Sequence, residues 1–168
     1  GDYFFFSATI QTKTHVVNGF LYYPKGSDME ISVSGRIDYE DNVFSVEASN
    51  PQYSITLTVP DSEQSKFQTD PVLSGNYLAF YTKSDNQIEA NIKLFSFTNN
   101  MVLGNARINR SDYQLLGFVK DSKLSLMRVG PDPMIFVGNV AAQTEVCIDG
   151  EWHDKKNSSG NFAFIKEM

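Results

Sequence analysis

Apolar and polar residues take turns along most of this chain with a period of two. Met29, Ile31, Val33, Gly35 and Ile37 share one parity while Glu30, Ser32, Ser34 and Arg36 share the other, the pattern of a strand with one buried and one wet face. The same alternation sets Phe44, Val46 and Ala48 against Ser45 and Glu47, and Ile55, Leu57 and Val59 against Ser54, Thr56 and Thr58. It also sets Ile88, Ala90, Ile92 and Leu94 against Glu89, Asn91 and Lys93. Between these runs lie Pro24–Asp28, Glu40–Asn42, Asn50-Pro51, Ser84–Asn86, Thr98–Asn100 and Gly130–Pro133, rich in the Gly, Pro, Asn and Asp that set or tolerate turn dihedrals.

From Ile88 onward the pattern predicts strands starting near residues 88, 101, 113, 123, 134, 144 and 161, a spacing of roughly 10 to 17 residues. Connections this short join antiparallel neighbours, because a parallel crossover needs about a dozen residues or more. The second half therefore reads as a meander. Gly104, Gly117, Gly138, Gly150 and Gly160 recur in or beside its segments, as expected where a sheet bends, bulges or brings backbones close. The expected fold is all-β: an antiparallel up-and-down barrel or strongly coiled β-sandwich of roughly 8 to 12 strands with a C-terminal meander, a single β domain over residues 1–168. A two-sheet jelly roll is the alternative.

Pro60 to Gly75 is the one long interval without alternation. A short helix from Ser62 to Gln68, capped by Asp61 or Ser62, is expected inside it, and the interval serves as a crossover or as a lid over a ligand. Tyr3–Phe6 and Phe20–Tyr23 are apolar on both parities. Strands of that kind are covered on both faces, here by the long loop, a second sheet or another copy of the chain, so a homo-oligomer through the N-terminal aromatic strands is one expectation.

Composition narrows the function classes. With 168 residues, 41% hydrophobic and 20% charged, the chain is long enough to bury a core without metal or disulfide. Its net charge of -6 weighs against a nucleic-acid partner, and one Cys excludes an intrachain disulfide framework. No apolar run approaches the roughly 18 residues of a helical membrane span. The opening Gly1-Asp2-Tyr3 without Met suggests that an upstream segment was removed, without showing whether it was a signal peptide; the compartment is not read from the sequence, with a secreted or cell-surface setting slightly favoured. The sequons at Asn109 and Asn157 are too short to add weight.

Candidate chemistry concentrates in Cys147–Asp154. On a continuous strand, Cys147, Asp149, Glu151 and His153 project from one face and Val146, Ile148, Gly150 and Trp152 from the other. Same-face neighbours stand about 6.5 to 7 Å apart, so at most two adjacent ones converge on a single ion. Neither a metal site nor a cofactor is expected. Cys147 lies about 20 Å along the strand from His153, too far for a thiolate–base pair. Asp38, Glu40 and Asp41 read as hairpin-tip residues, and no CxxC, HExxH, GxSxG or phosphate-loop spacing occurs. No catalytic residue is assigned.

Binding has more to support it. Parity places Phe4, Phe6, Ile31, Val33, Phe44, Ile55, Leu57, Ile92, Leu94, Ile108, Leu124, Leu126, Phe136, Trp152, Phe162 and Phe164 on the inward set, where rings offer apolar area with few rotamers. Their default role is a packed core. Ser96 shares parity with Ile92 and Leu94, and Arg128 with Leu124 and Leu126, so each could orient a ligand or reach water at a strand end. The candidate ligand-binding residues are Phe44, Leu94, Ser96, Arg128, Phe136 and Trp152.

The hairpin-linked run from Ile88 to Lys166, with Gly150-Glu151-Trp152 and the closing Gly160-Asn161-Phe162-Ala163-Phe164, resembles the calycin-type barrels, lipocalins and avidins. Lipocalins carry a Gly-x-Trp in their first strand; here it lies near the C-terminus, so the family's Trp does not transfer by position. The resemblance is architectural and implies a small apolar or amphiphilic ligand in the barrel mouth. The resulting expectation is a non-enzymatic binding protein holding a small hydrophobic molecule. Its rivals are a carbohydrate-binding or adhesive module with Tyr22, Tyr77, Tyr81 or Trp152 exposed for stacking, and a small barrel lyase or isomerase using His15, Glu151 or His153.

Overall fold

The computed structural model describes residues 5–11, 13–22, 30–40, 43–49, 54–60, 69–98, 100–130, 132–154 and 156–168. The chain divides into two compact units, Gly1–Phe67 and Gln68–Met168. All elements are strands: β1 (Phe5–Ile10), β2 (Val16–Tyr22), β3 (Glu30–Glu40), β4 (Val43–Ser49) and β5 (Ser54–Pro60) in the first unit. The second holds β6 (Gly75–Lys83), β7 (Asn86–Ser96), β8 (Met101–Ile108), β9 (Ser111–Lys120), β10 (Lys123–Val129), β11 (Met134–Ala141), β12 (Cys147–Asp154) and β13 (Ser159–Lys166). The thirteen strands among the described residues exceed the 8 to 12 expected. The helix expected over Ser62–Gln68 lies outside the described residues.

The first unit is a five-stranded antiparallel meander in the order β1-β2-β3-β4-β5. Alternation sets its register: Val17 opposes Gly35 and Gly19 opposes Val33, and Val17 and Val33 are buried. Phe20, in one of the two N-terminal aromatic segments, is 40% exposed.

The second unit is a closed barrel in which β6 to β13 follow one another around the circuit, every pair antiparallel, and β13 closes on β6. This is the up-and-down barrel, and it displaces the sandwich and jelly-roll alternatives. Followed once round through its registered partners, the ladder returns to β6 displaced by about ten residues, which sets a strand tilt of about 40° and a backbone radius of roughly 8 Å. A cylinder that narrow is filled largely by its own inward side chains.

Local chemistry makes closure possible. Ser84-Asp85, Asn109-Arg110 and Asp121-Ser122 all have positive φ at both positions, the two-residue hairpin turns whose twist matches that of the strands. Gly138 and Gly150 face each other across β11 and β12, and a Cβ on Gly150 would collide with the carbonyl oxygen of Val137 and come within 2.5 Å of the Gly138 Cα. The two glycines thus allow the close approach a coiled sheet needs.

The interior is apolar. Ile92, Leu94, Ile108, Leu124, Leu126, Phe136, Trp152, Phe162 and Phe164 are all buried in one cluster, as parity assigns them. Rings crowd the β11–β13 side: Phe136 lies 5.2 Å from Phe162 and 5.4 Å from Phe164, and Phe162 lies 4.6 Å from Phe164. β6, β7 and β8, which follow β13 round the circuit, contribute Ala79, Ala90 and Ala106, and Ala79 is the registered neighbour of Phe164, so small residues sit beside large ones in the packed interior. β10 is buried on both faces from Leu124 to Arg128.

Candidate functional site

Topology puts the β6–β7, β8–β9, β10–β11 and β12–β13 turns at one end of the barrel, here the upper end, and the remaining turns at the lower end. The two ends differ. At the lower end the inward-facing Tyr77, Ser96, Val102, Leu124 and Phe164 are at most 1% exposed. Residues 69–74 are fastened to that rim: the Asp70 amide donates to the Ser96 carbonyl, the Tyr77 hydroxyl donates to the Leu73 carbonyl at 2.7 Å, and Lys166 Nζ donates to the carbonyls of Pro71 and Val72. Burial, with the Asp70 charge adding to it, pushes the Tyr77 phenol up to about 12.

At the upper end Met134 and Trp152 are 1% exposed and Tyr81 4%, and a surface cavity of about 70 Å³ lies over them. Arg128 and Met134 form its inner wall, with Lys83, Asp132, Pro133, Asp154 and Lys156 around the rim. Arg128 is 8% exposed. Its guanidinium stacks 4.6 Å from the Tyr113 ring centroid, and Nη2 donates to the Asp132 carbonyl at 2.8 Å. Burial raises the pKa of the neighbouring Tyr81, opposed by the charge and hydrogen bond of Arg128. Tyr81 in turn meets Phe136 and Trp152 edge-on, each at 6.1 Å, and the Trp152 indole donates to the Thr82 carbonyl at 3.0 Å. A continuous path of rings therefore runs from Arg128 into the core.

Among the described residues two buried side-chain atoms have no hydrogen-bond partner, Ser96 Oγ and Arg128 Nε. Both belong to residues that parity had placed inward, and they lie towards opposite ends of the barrel. An unpartnered buried donor costs about 1–3 kcal/mol, more when charged, and both atoms are covered from solvent.

Of the sequence candidates, Leu94, Phe136 and Trp152 line the interior with Ser96 and Arg128. Phe44 is on β4 in the other unit, where it pairs with Tyr39 and Val59; its side chain is outside the described set. The rings offered as exposed stacking platforms need correction: Tyr77, Tyr81 and Trp152 are 1%, 4% and 1% exposed, because each sits on the inward parity of its strand, and Tyr22 is outside the described side chains. Asp149 and Glu151 face outward on β12 and Cys147 and His153 are half-buried. Burial, then the charges of Asp149 and Glu145, raise the Cys147 pKa, which disfavours a thiolate. His15 is exposed at the β1–β2 turn. Among the described residues no group of three or more His, Cys, Asp and Glu is placed to hold a metal ion, and no helix is long and apolar enough to cross a membrane.

Lys83, Asp132 and Lys156 were not singled out from sequence. They meet only because barrel closure brings alternate turns to one mouth, and the signal for them was their place at strand ends of equal parity in the meander. A second groove of about 310 Å³ lies along β6 to β9, lined mainly by exposed polar residues that include Asn76, Asn91, Lys93, Asn105 and Arg107.

Fold and site together define an eight-stranded up-and-down antiparallel barrel with an aromatic interior and, at its upper end, a surface cavity built on a buried arginine. No protein-family model matches the chain, and no curated protein matches it.

Proposed function

We propose that the second unit is a non-enzymatic binding barrel that takes a small, mostly apolar molecule through its upper mouth. The observation that carries this reading is an aromatic interior lying beneath an upper-end cavity that reaches Arg128 and Met134. An entering ligand meets Arg128 first and then the rings of Tyr81, Trp152 and Phe136, large apolar surfaces with few rotamers to freeze. Eight-stranded barrels are either filled by their own side chains or hold one small ligand, and because this interior is packed, binding has to displace rings rather than fill a void. The calycin-type resemblance supports the same reading by architecture alone.

Trp152, the only tryptophan of the chain, is the natural reporter. Titration with 1-decanol should give a saturable change in its emission together with a rise in unfolding temperature that follows ligand concentration. Unchanged emission and unfolding temperature up to the solubility limit would overturn the proposal.

A further inference from the structure

We propose that the upper mouth binds a tetrahedral oxyanion of the phosphate class, gripped by Arg128 and closed over by Lys83 and Lys156. Three cationic side chains from three separate segments, the end of β6, the end of β10 and the β12–β13 turn, line one cavity of about 70 Å³. A single water needs roughly 10–15 Å³ on this measure, so the space suits a few waters or one such anion.

The two carboxylates there do not cancel the cations. Asp154 Oδ1 already accepts the backbone N–H groups of Lys156 and Ser158, each at 2.9 Å, and so builds the turn that carries Lys156. Asp132 is exposed and gives its backbone carbonyl, not its carboxylate, to Arg128 Nη2. Three cations against two carboxylates leave the lining net positive, which argues for an anion and against a metal ion.

Arg128 supplies the specificity. Nε and Nη2 form one edge of the guanidinium, the edge that grips two oxygens of a phosphate side by side. Nη2 is occupied by the Asp132 carbonyl, and Nε, in a residue more than nine-tenths buried, has no partner and is itself covered from solvent. An oxyanion drawn in by the three cations completes Nε and shares Nη2 once the guanidinium turns this edge into the cavity, and its remaining oxygens are then left to the two lysines. For a phosphate carried on an apolar tail the inference rests on the binding-barrel reading above; for inorganic phosphate it stands alone.

Calorimetry at low salt with inorganic phosphate, decyl phosphate and 1-decanol separates the cases. Decyl phosphate should bind at least about tenfold more tightly than 1-decanol, and inorganic phosphate should bind and compete with it. The double variant Lys83→Gln/Lys156→Gln, both surface positions, should weaken both phosphates by about tenfold and uncharged 1-decanol by less than about twofold. Arg128→Lys, which keeps the charge and loses the fork, should also weaken them; the surface pair keeps the test independent of how that buried variant folds. If 1-decanol binds and the phosphate adds nothing, or if the double variant changes nothing, the oxyanion site is refuted while the binding barrel stands. If inorganic phosphate binds in the expected lysine-dependent way and 1-decanol does not bind, the site stands and the apolar reading fails. No binding by any of the three refutes both.

Discussion

Replacing Phe136 by Ala tests whether the barrel interior is a single packed cluster. The ring is 3% exposed and touches three others, Phe162 at 5.2 Å, Phe164 at 5.4 Å and Tyr81 at 6.1 Å. Truncating a buried Phe costs about 3–5 kcal/mol, and aromatic pairs add about 0.5–1.5 kcal/mol each beyond area. The neighbours stand on strands fixed by hydrogen bonds on both sides, so collapse into the gap is limited and a loss of about 4 kcal/mol is expected. With a urea slope of about 1.5 kcal/mol per molar, the midpoint should fall by roughly 2.7 M. Trp152 emission reads the transition inside the same unit, since Trp152 shares Tyr81 as a ring partner. Phe136→Leu should lose far less. A fall below about 0.5 M for Phe136→Ala, at unchanged slope, would mean that the ring does not pack as described and that the interior is loose.

Three further outcomes follow from particular contacts. Gly150→Ala should lower the unfolding temperature by at least about 10 °C, because its Cβ meets the Val137 carbonyl and the Gly138 backbone instead of a side chain that could move; a thermal melt like the parent's would show that the strands do not approach so closely. The Tyr77 phenol is raised from 10.0 to about 12, so between those pH values the folded state keeps a proton the unfolded chain has lost. Stability present below pH 10 should therefore drain away as pH rises through that window, by on the order of 2 kcal/mol, and Tyr77→Phe should flatten this slope in urea titrations while losing the hydroxyl bond to Leu73. Alkylation of Cys147 by iodoacetamide at pH 8 should run several-fold slower than that of a free cysteine and speed up in Glu145→Gln; a rate equal to the free thiol's would contradict its surroundings.

Much of the barrel was legible in the sequence. The expected strand starts at 101, 123 and 134 coincide with β8, β10 and β11, and those near 88, 113, 144 and 161 fall within three residues of β7, β9, β12 and β13. A period of two is imposed by the pleat itself, so it survives wherever one face stays wet. It fails at β6, where Leu78 and Phe80 are apolar on the outer parity and half-buried, which hid a strand and left Tyr77 and Tyr81 free to be read as surface rings. It fades again in β10, buried on both faces. The inward placement of Ser96 and Arg128 followed from parity alone. Their missing partners did not, nor did the meeting of Lys83 and Lys156, because these depend on which strand ends share a mouth once β13 pairs with β6.

The central claim is that the ligand lodges within the barrel rather than on it. Nuclear Overhauser contacts from bound 1-decanol in isotope-labelled protein test this most directly. The account predicts cross-peaks to the rings of Phe136, Trp152 and Tyr81. Cross-peaks confined to outward residues such as Lys93 and Asn105, with the interior rings silent, would contradict it.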